Sequence, residues 1–330
     1  MAGLTDAKAF AVKSYLTSEE RPKFAGLSVS TQPRHNLTAV GAGRKYVDGK
    51  PTDTHAVRFY VERKVRESLI PKEHVLPKEI DGVPTDVIQM GRFELCAAFP
   101  APVTARFRPI QPGCSCSFQA PPPDQGMLTA STIGAIVQAG GRSFILSNNH
   151  ALANANALPA GTPIFHPGLL DEPDLSTDQI AVLTSFVPIS ATANNVVDCA
   201  IAELLDGVKF NPEILPDVGK LSSAAPIAAA EGMTVVKTGR TTSATVGTVV
   251  EINGTVPVLY QNVGIVTFDS QIFVQDVNGP FSAGGDSGAL VVDQASRAGT
   301  GLLFAKTPDG FTACNPLGAV LTALGVTLVT

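Results

Sequence analysis

His150, Asp198 and Ser287 occur in that order, roughly 48 and 89 residues apart, and each stands beside a short apolar run. A serine hydroxyl is a poor nucleophile at its own pKa. It needs an imidazole to take its proton and a buried carboxylate to hold that imidazole in the right tautomer. The local sequences suit those parts. Phe144-Ile145-Leu146 precedes the polar Ser147-Asn148-Asn149, which puts His150 on a loop after a strand. Asp198 opens onto Cys199-Ala200-Ile201-Ala202, and Ser287 lies in Gly284-Gly285-Asp286-Ser287-Gly288 ahead of Ala289-Leu290-Val291-Val292. Gly285 has no Cβ, so its N–H can turn toward a substrate. With the Ser287 N–H it would make an oxyanion hole, worth about 3–4 kcal/mol per donor in the transition state. Each residue alone has a plainer reading: a Gly-rich turn, a satisfied loop histidine, a strand-end aspartate. Three such accidents in this order are far less expected than one site.

The spacing is enough to wrap one small barrel and most of a second, with functional groups at the mouths of rigid strands. Thirty Gly and 25 Pro lie between short Val/Ile/Thr/Phe runs, the punctuation of many short strands. Ile133 to Val137 and Ser143 to Leu146 around Ala139-Gly140-Gly141 read as a first hairpin. Ile180 to Val187 and Asp198 to Leu205 complete most of one barrel. Met233 to Lys237, Ala244 to Ile252, Ile265 to Phe268, Leu290 to Val292 and Gly301 to Phe304 supply the other, and Leu317 to Leu324 has helical spacing.

Together with the Gly285-Asp286-Ser287-Gly288 motif, four further runs carry a family resemblance: Ser147 to Ala153, Gly239-Arg240-Thr241-Thr242, Gly301 to Ala305 and Cys314-Asn315-Pro316-Leu317. Over roughly residues 127 to 330 the chain resembles the trypsin-like serine peptidases. It is most similar to the intracellular bacterial and plant branch that includes the narrow-leaf protein of rice. The resemblance implies a mostly β fold, a chymotrypsin-like double β-barrel with a smaller N-terminal α+β module. It implies endopeptidase activity through an acyl-enzyme on Ser287, with His150 as general base and Asp198 orienting it. Asp178 is a competing acid; Asp198 is preferred because it directly precedes a buried strand at the family's position.

The chain departs from the family in three places. No Ile-Val-Gly-Gly-type activation site precedes the first strand, so Asp286 needs a partner other than a freed amino terminus, or water. Asn148-Asn149 stand where digestive members carry two small residues. Lys306 stands where many relatives have glycine, on the strand Gly301 to Lys306, with Phe304, that lines the specificity pocket. There it would narrow the pocket or meet an acidic side chain, or simply be an exposed loop lysine before Thr307-Pro308-Asp309-Gly310. Counting six residues back from Ser287 places Phe281 at the pocket floor, which argues for a small or apolar substrate side chain.

Composition bounds the rest. The chain has 330 residues, 44% hydrophobic and 16% charged, ample for a buried core and too long for a barrel pair alone. The first 30 residues carry Lys, Glu and Asp and no apolar core segment, and no run approaches the ~18 apolar residues of a membrane helix. A reducing, cytoplasmic setting is therefore expected for the five cysteines. Cys96, Cys199 and Cys314 lie in apolar stretches, and Cys114-Ser115-Cys116 is too close for a zinc site. His166-Pro167-Gly168 with Asp171, Glu172 and Asp174 reads as a solvated loop, so no metal and no cofactor are expected.

Residues 1–110 hold 17 Lys/Arg against 12 Asp/Glu, and residues 111–330 hold 7 against 17. Interleaved glutamates break up the basic residues, so neither nucleic acid nor membrane is an expected partner. Residues 1–110 read as the α+β module: a helix in 5–20 and two strands, Leu37 to Val47 and His55 to Val65, joined by Asp48-Gly49-Lys50-Pro51. Val57, Phe59 and Val61 alternate with Arg58, Tyr60 and Glu62, so one face of the second strand should be buried. Val75 to Val87 should be extended, and residues 111–126 read as a Pro-rich linker to the peptidase domain, 127–330. The expected partners are a protein or peptide substrate and a regulatory protein. The competing reading is a catalytically silent barrel pair that binds peptides or a partner. Between them lies an enzyme held latent until its N-terminal module or a partner orders the loop before Ser287.

Overall fold

A computed structural model describes residues 2–16, 36–47, 50–95, 103–122, 127–215 and 218–330. The chain is mostly β, in two curled sheets. The first contains β6 (Ser115–Phe118), β7 (Ser131–Thr132), β8 (Ala135–Ala139), β9 (Arg142–Ser147), β10 (Pro163–Phe165), β11 (Gln179–Phe186), β12 (Ala200–Leu204) and β19 (Thr327–Leu328). Their order is β19-β8-β9-β12-β11-β10-β6-β7. Because β7 leads through two residues into β8, the chain itself ties the two sides of the curl together. The β8–β9 hairpin turns on Gly140 and Gly141, both at positive φ, which a two-residue turn matched to strand twist requires.

The second sheet contains β13 (Thr234–Gly239), β14 (Ser243–Tyr260), β15 (Gly264–Asp276), β16 (Leu290–Asp293), β17 (Gly299–Lys306) and β18 (Phe311–Pro316). These pair in the order β13-β16-β17-β18-β15-β14, and β14 pairs back onto β13, which closes a ring of six. Strands β14 and β15 run well past the sequence expectation and change register at several points along their length, so they bend rather than stop. Helix α3 (Leu317–Leu324) follows as expected. Its Leu317, Val320 and Leu321 join Leu146, Ile201, Leu290 and Leu302 in a core shared by both sheets. Here α1 is Ala2–Ala11 and α2 is the single turn Asn149–Leu152.

The N-terminal part adds β1 (Leu37–Val47), β2 (Lys50–Val61), β3 (Glu79–Ile80), β4 (Val83–Gln89) and β5 (Glu94–Leu95). Strand β1 pairs with β14 at Val40↔Thr255, so the second sheet continues outward as β14-β1-β2-β4-β3. The turn residues Asp48-Gly49 lie outside the described residues. So do Cys96, Pro100, Pro102 and Pro123, and residues 17–20 of the expected helix.

Two expectations need correction. Both faces of β2 are buried from Ala56 to Val61. Val57 and Phe59 pack under α1, while Tyr60 enters the core of the second sheet. Arg58, wholly buried, meets Glu231 at 3.1 Å and Glu251 at 3.3 Å. An alternating strand looks one-sided only when nothing covers its polar face; here paired carboxylates cover it. The second correction falls within 111–126. Ser115–Phe118 is a fully buried strand, paired with both β10 and β7. The surrounding prolines hid Ser115-Cys116-Ser117-Phe118, an alternating run of only four residues whose serines are buried along with its apolar side chains.

Candidate active site

Register brings the histidine and the aspartate together. Ser147 at the end of β9 pairs with Ala200 at the start of β12. His150, three residues on, and Asp198, two residues back, therefore leave the sheet at the same place. His150 Nδ1 lies 2.6 Å from Asp198 Oδ2, and the His150 N–H donates to Oδ1 at 3.1 Å. With Nδ1–H given to the carboxylate, Nε2 keeps its lone pair. That atom is buried and, among the described residues, has no hydrogen-bond partner.

Asp198 is fully buried. Burial alone would raise its carboxyl. The His150 charge and the hydrogen bonds from His150 and Tyr260 outweigh that and hold it below the usual carboxylate range. Tyr260 donates its hydroxyl to Asp198 Oδ2 at 2.7 Å. Burial and the Asp198 charge push the phenol well above its ordinary value, so it stays a donor. Sequence reasoning missed Tyr260, which sits 62 residues from Asp198 at the end of a strand read as ending at Ile252.

Asn148 and Asn149 now have a physical account. Asn148 Nδ2 donates to the Asp198 carbonyl at 2.8 Å. Asn149 exchanges side-chain and backbone hydrogen bonds with Asn156 and donates to the Val187 carbonyl. Asn315 accepts the Asp198 N–H at 3.0 Å. The acid is thus clamped fore and aft by amides, which small residues could not supply.

Ser287 lies in the β15–β16 loop, and residues of the first sheet hold that loop. Thr132 of β7 donates its N–H to the Ser287 carbonyl at 2.9 Å and its hydroxyl to the Gly285 carbonyl at 2.9 Å. The Thr132 carbonyl accepts from Ser147, three residues before His150. Gly288 (φ +91°) faces the same seam, where a Cβ would run into Ser147 Oγ and the Thr132 carbonyl. Thr132 went unnoticed in the sequence, where nothing marks a lone threonine as a bridge between two barrels.

Asp286 finds the partner that the missing activation site left open. It is fully buried against Lys237, also fully buried, with Nζ 3.3 Å from Oδ2. Its carboxylate further accepts the N–H groups of Thr241 (2.8 Å), Thr242 (3.2 Å) and Ala283 (3.0 Å) and the Thr242 hydroxyl (2.6 Å). The Gly284 carbonyl takes the Thr241 hydroxyl. Gly285 stands at φ +99°, with Thr241 and Arg240 where a Cβ would go. Among the described residues, the Gly285 and Ser287 N–H groups donate to nothing. That is the arrangement an oxyanion would need.

The structure does not join Ser287 to His150 by a hydrogen bond. Ser287 Oγ donates instead to the Phe304 carbonyl at 3.5 Å, a long bond. The three residues expected to meet substrate are all otherwise engaged. Phe281 is buried in the core among Val235, Val249 and Val291, with Lys237 Nζ 5.7 Å above its ring. The Phe304 ring packs on Phe268 at 4.9 Å, so only its backbone is near Ser287. Lys306 pairs with Glu94 at 3.1 Å. Asp178 is held by Arg106 and Arg108. His166 uses both ring nitrogens, Nδ1 to the Ser115 carbonyl at 2.7 Å and Nε2 to the Phe107 N–H at 3.0 Å. Asp171 is taken by Arg240.

No family model and no curated protein matches the chain. Solved structures do. A glutamic acid-specific serine protease, described as using a histidine triad in substrate binding, is similar at 20% identity and a TM-score of 0.47, over 67% of this chain and all of that one. Protease A of Thermobifida fusca is similar at 21% identity and 0.45, over 61% and 92%. A chymotrypsin of Cellulomonas bogoriensis is similar at 18% and 0.46, over 67% and all of its chain.

Among the described residues, no helix is long and apolar enough to cross a membrane, and no group of three metal-ligating side chains occurs. Cys114, Cys116 and Cys199 are free thiols, and they and Cys314 are buried, with burial pushing the Cys114 thiol up to about 12. Cys96 lies outside the described residues.

Proposed function

We propose that the protein is a serine endopeptidase acting on protein or peptide substrates. The observation that carries this reading is the His150–Asp198 pair, 2.6 Å apart, with Nε2 buried and, among the described residues, unpartnered. A buried nitrogen lone pair with no partner is costly unless it has work to do.

In the reaction, Ser287 Oγ attacks the substrate carbonyl carbon while its proton passes to His150 Nε2. The oxyanion is met by the Gly285 and Ser287 N–H groups. Collapse breaks the C–N bond as His150 returns the proton to the leaving amine, leaving an acyl ester on Ser287. Water, deprotonated by His150, attacks the ester; the acid product leaves and Ser287 regains its proton. Asp198 stays ionised, which its low pKa supports, and stabilises the imidazolium. The buried free thiols of Cys114, Cys116 and Cys199 support a reducing, cytoplasmic setting for this chemistry, as in the intracellular branch the sequence resembles. The Arg58 contacts with Glu231 and Glu251 would let residues 1–110, as a regulatory module, act on the peptidase domain.

A second reading, a silent barrel pair that binds peptides, is favoured by one observation: Ser287 Oγ turns to Phe304 and not to His150. A fluorophosphonate probe separates the two. Labelling of the folded protein, absent in Ser287→Ala and after unfolding, is the expected result. A folded protein that resists the probe would refute the enzyme and leave the binding module.

A further inference from the structure

One edge of β17 runs past Ser287. From Gly299 to Leu302 that edge is paired with β16. At Leu303 it is met by the loop that follows Ser287: Gly288 N–H donates to the Leu303 carbonyl, and Leu303 N–H to the Ala289 carbonyl. At Phe304 the carbonyl takes the Ser287 hydroxyl. At Ala305 and Lys306 the edge is paired with β5, Leu95 opposite Ala305 and Glu94 opposite Lys306. The other edge is held by β18 from Gly301 to Lys306. A free strand edge next to a nucleophile is where an extended peptide adds itself, because backbone N–H and C=O groups along it want partners.

β5 belongs to the N-terminal part of the chain, 210 residues before Ala305, and it is antiparallel to β17. As its numbering rises it therefore advances along β17 from Lys306 toward Phe304 and Ser287. That is the polarity of a peptide whose carbonyl end approaches the attacking hydroxyl. The preceding residues fasten it in place. Met90 N–H donates to the Val61 carbonyl at 2.8 Å, and Gly91 N–H to the Asp309 carboxylate at 2.9 Å. Phe93 is buried with its ring 4.9 Å from Phe273, and Lys306 meets Glu94.

We infer that Phe93-Glu94-Leu95 is a built-in occupant of the peptide groove and excludes peptides in cis from the acyl side of Ser287. This rests on the peptidase reading for its consequence, since the groove leads to the proposed nucleophile. A tethered strand presents itself at an effective concentration on the order of 1 mM, so it suppresses a free peptide of ~0.1 mM intrinsic affinity about tenfold.

The test is a binding measurement that needs no turnover. In full-length Ser287→Ala, fluorescein-labelled Met-Gly-Arg-Phe-Glu-Leu, the sequence of residues 90–95, is titrated and followed by anisotropy. Adding Glu94→Pro/Leu95→Pro removes two backbone donors and should tighten binding at least tenfold. Glu94→Lys keeps the backbone, sets like charges at 94 and 306, and should tighten it by a smaller factor; it decides the matter if the proline variant has lost its thermal transition. Equal affinity in the parent and in a folded variant would overturn the inference. Fluorophosphonate labelling of the same variants with Ser287 intact reports on the catalytic reading separately. The probe is too small to need the β17 edge, so tighter peptide binding without labelling would sink the enzyme and spare the occupied groove.

Discussion

Lys237 and Asp286 are the place to strike the site without touching His150, Asp198 or Ser287. Both side chains are fully buried and their charges lie 3.3 Å apart. At an effective dielectric of about 20, that distance corresponds to roughly 5 kcal/mol of attraction. Lys237→Met removes the attraction together with the lysine's own desolvation cost, and leaves Asp286 charged in the interior. Breaking one partner of such a pair costs about 3–5 kcal/mol. Asp286 keeps the N–H groups of Thr241, Thr242 and Ala283 and the Thr242 hydroxyl, which places the loss near the lower figure. With an unfolding entropy of ~2.1 cal/mol/K per residue over this chain, 3 kcal/mol lowers Tm by about 4 °C.

The same carboxylate fixes the loop that carries Gly285 and Ser287, so the rate of fluorophosphonate labelling should fall at least tenfold. Asp286→Asn alone should be comparably harmful, since it strands the buried lysine. The double variant Lys237→Met/Asp286→Asn should cost less than the two singles together, by about 2 kcal/mol, measured by calorimetry or denaturant titration. Additivity within ~0.5 kcal/mol would refute the reasoning, because uncoupled groups add. So would a Lys237→Met protein with normal Tm and normal labelling.

Two further perturbations follow from the geometry. Tyr260→Phe deletes the 2.7 Å donor to Asp198 with no change of shape. It should cost about 1.5–3 kcal/mol of stability and slow labelling by up to about 100-fold; labelling at the parent rate would count against Tyr260 as a positioning residue. His166 is buried, and that burial lowers it to about 4. An unfolded histidine titrates near 6.5, so as pH falls between those values the unfolded chain takes up a proton that the native protein refuses. Stability should therefore drop by about 2 kcal/mol from pH 7.5 to 5, and His166→Gln should flatten that slope; an unchanged slope would show that other groups cause it.

Much of the architecture was legible in short-range pattern. The Gly140-Gly141 hairpin, the apolar runs at Phe144–Leu146, Ala200–Ala202 and Leu290–Val292, and the helix Leu317–Leu324 are set by turn chemistry and periodicity within a dozen residues. The same local signals marked His150, Asp198 and Ser287, because a polar residue just outside a buried strand stands out against its neighbours. The sequence also holds no Ile-Val-Gly-Gly-type run to supply a partner for Asp286 in the way of the family it resembles.

What filled that gap could not be read from the chain. Lys237 precedes Asp286 by 49 residues and looks like any strand-end lysine. Tyr260, Thr132 and Asn315 act on the site only because strands remote in sequence deliver them there. Arg58 and Tyr60 alternate as if facing water, and paired carboxylates and a second core bury them. Phe281 falls where counting puts a pocket floor and Phe304 where the family resemblance puts a pocket wall, and packing turns both rings into the core. Local pattern thus determined which segments become strands and which residues carry reactive groups. Sheet closure and register decided which charges neutralise each other and which edge is left beside Ser287, because those outcomes depend on contacts between residues from about 50 to more than 200 positions apart.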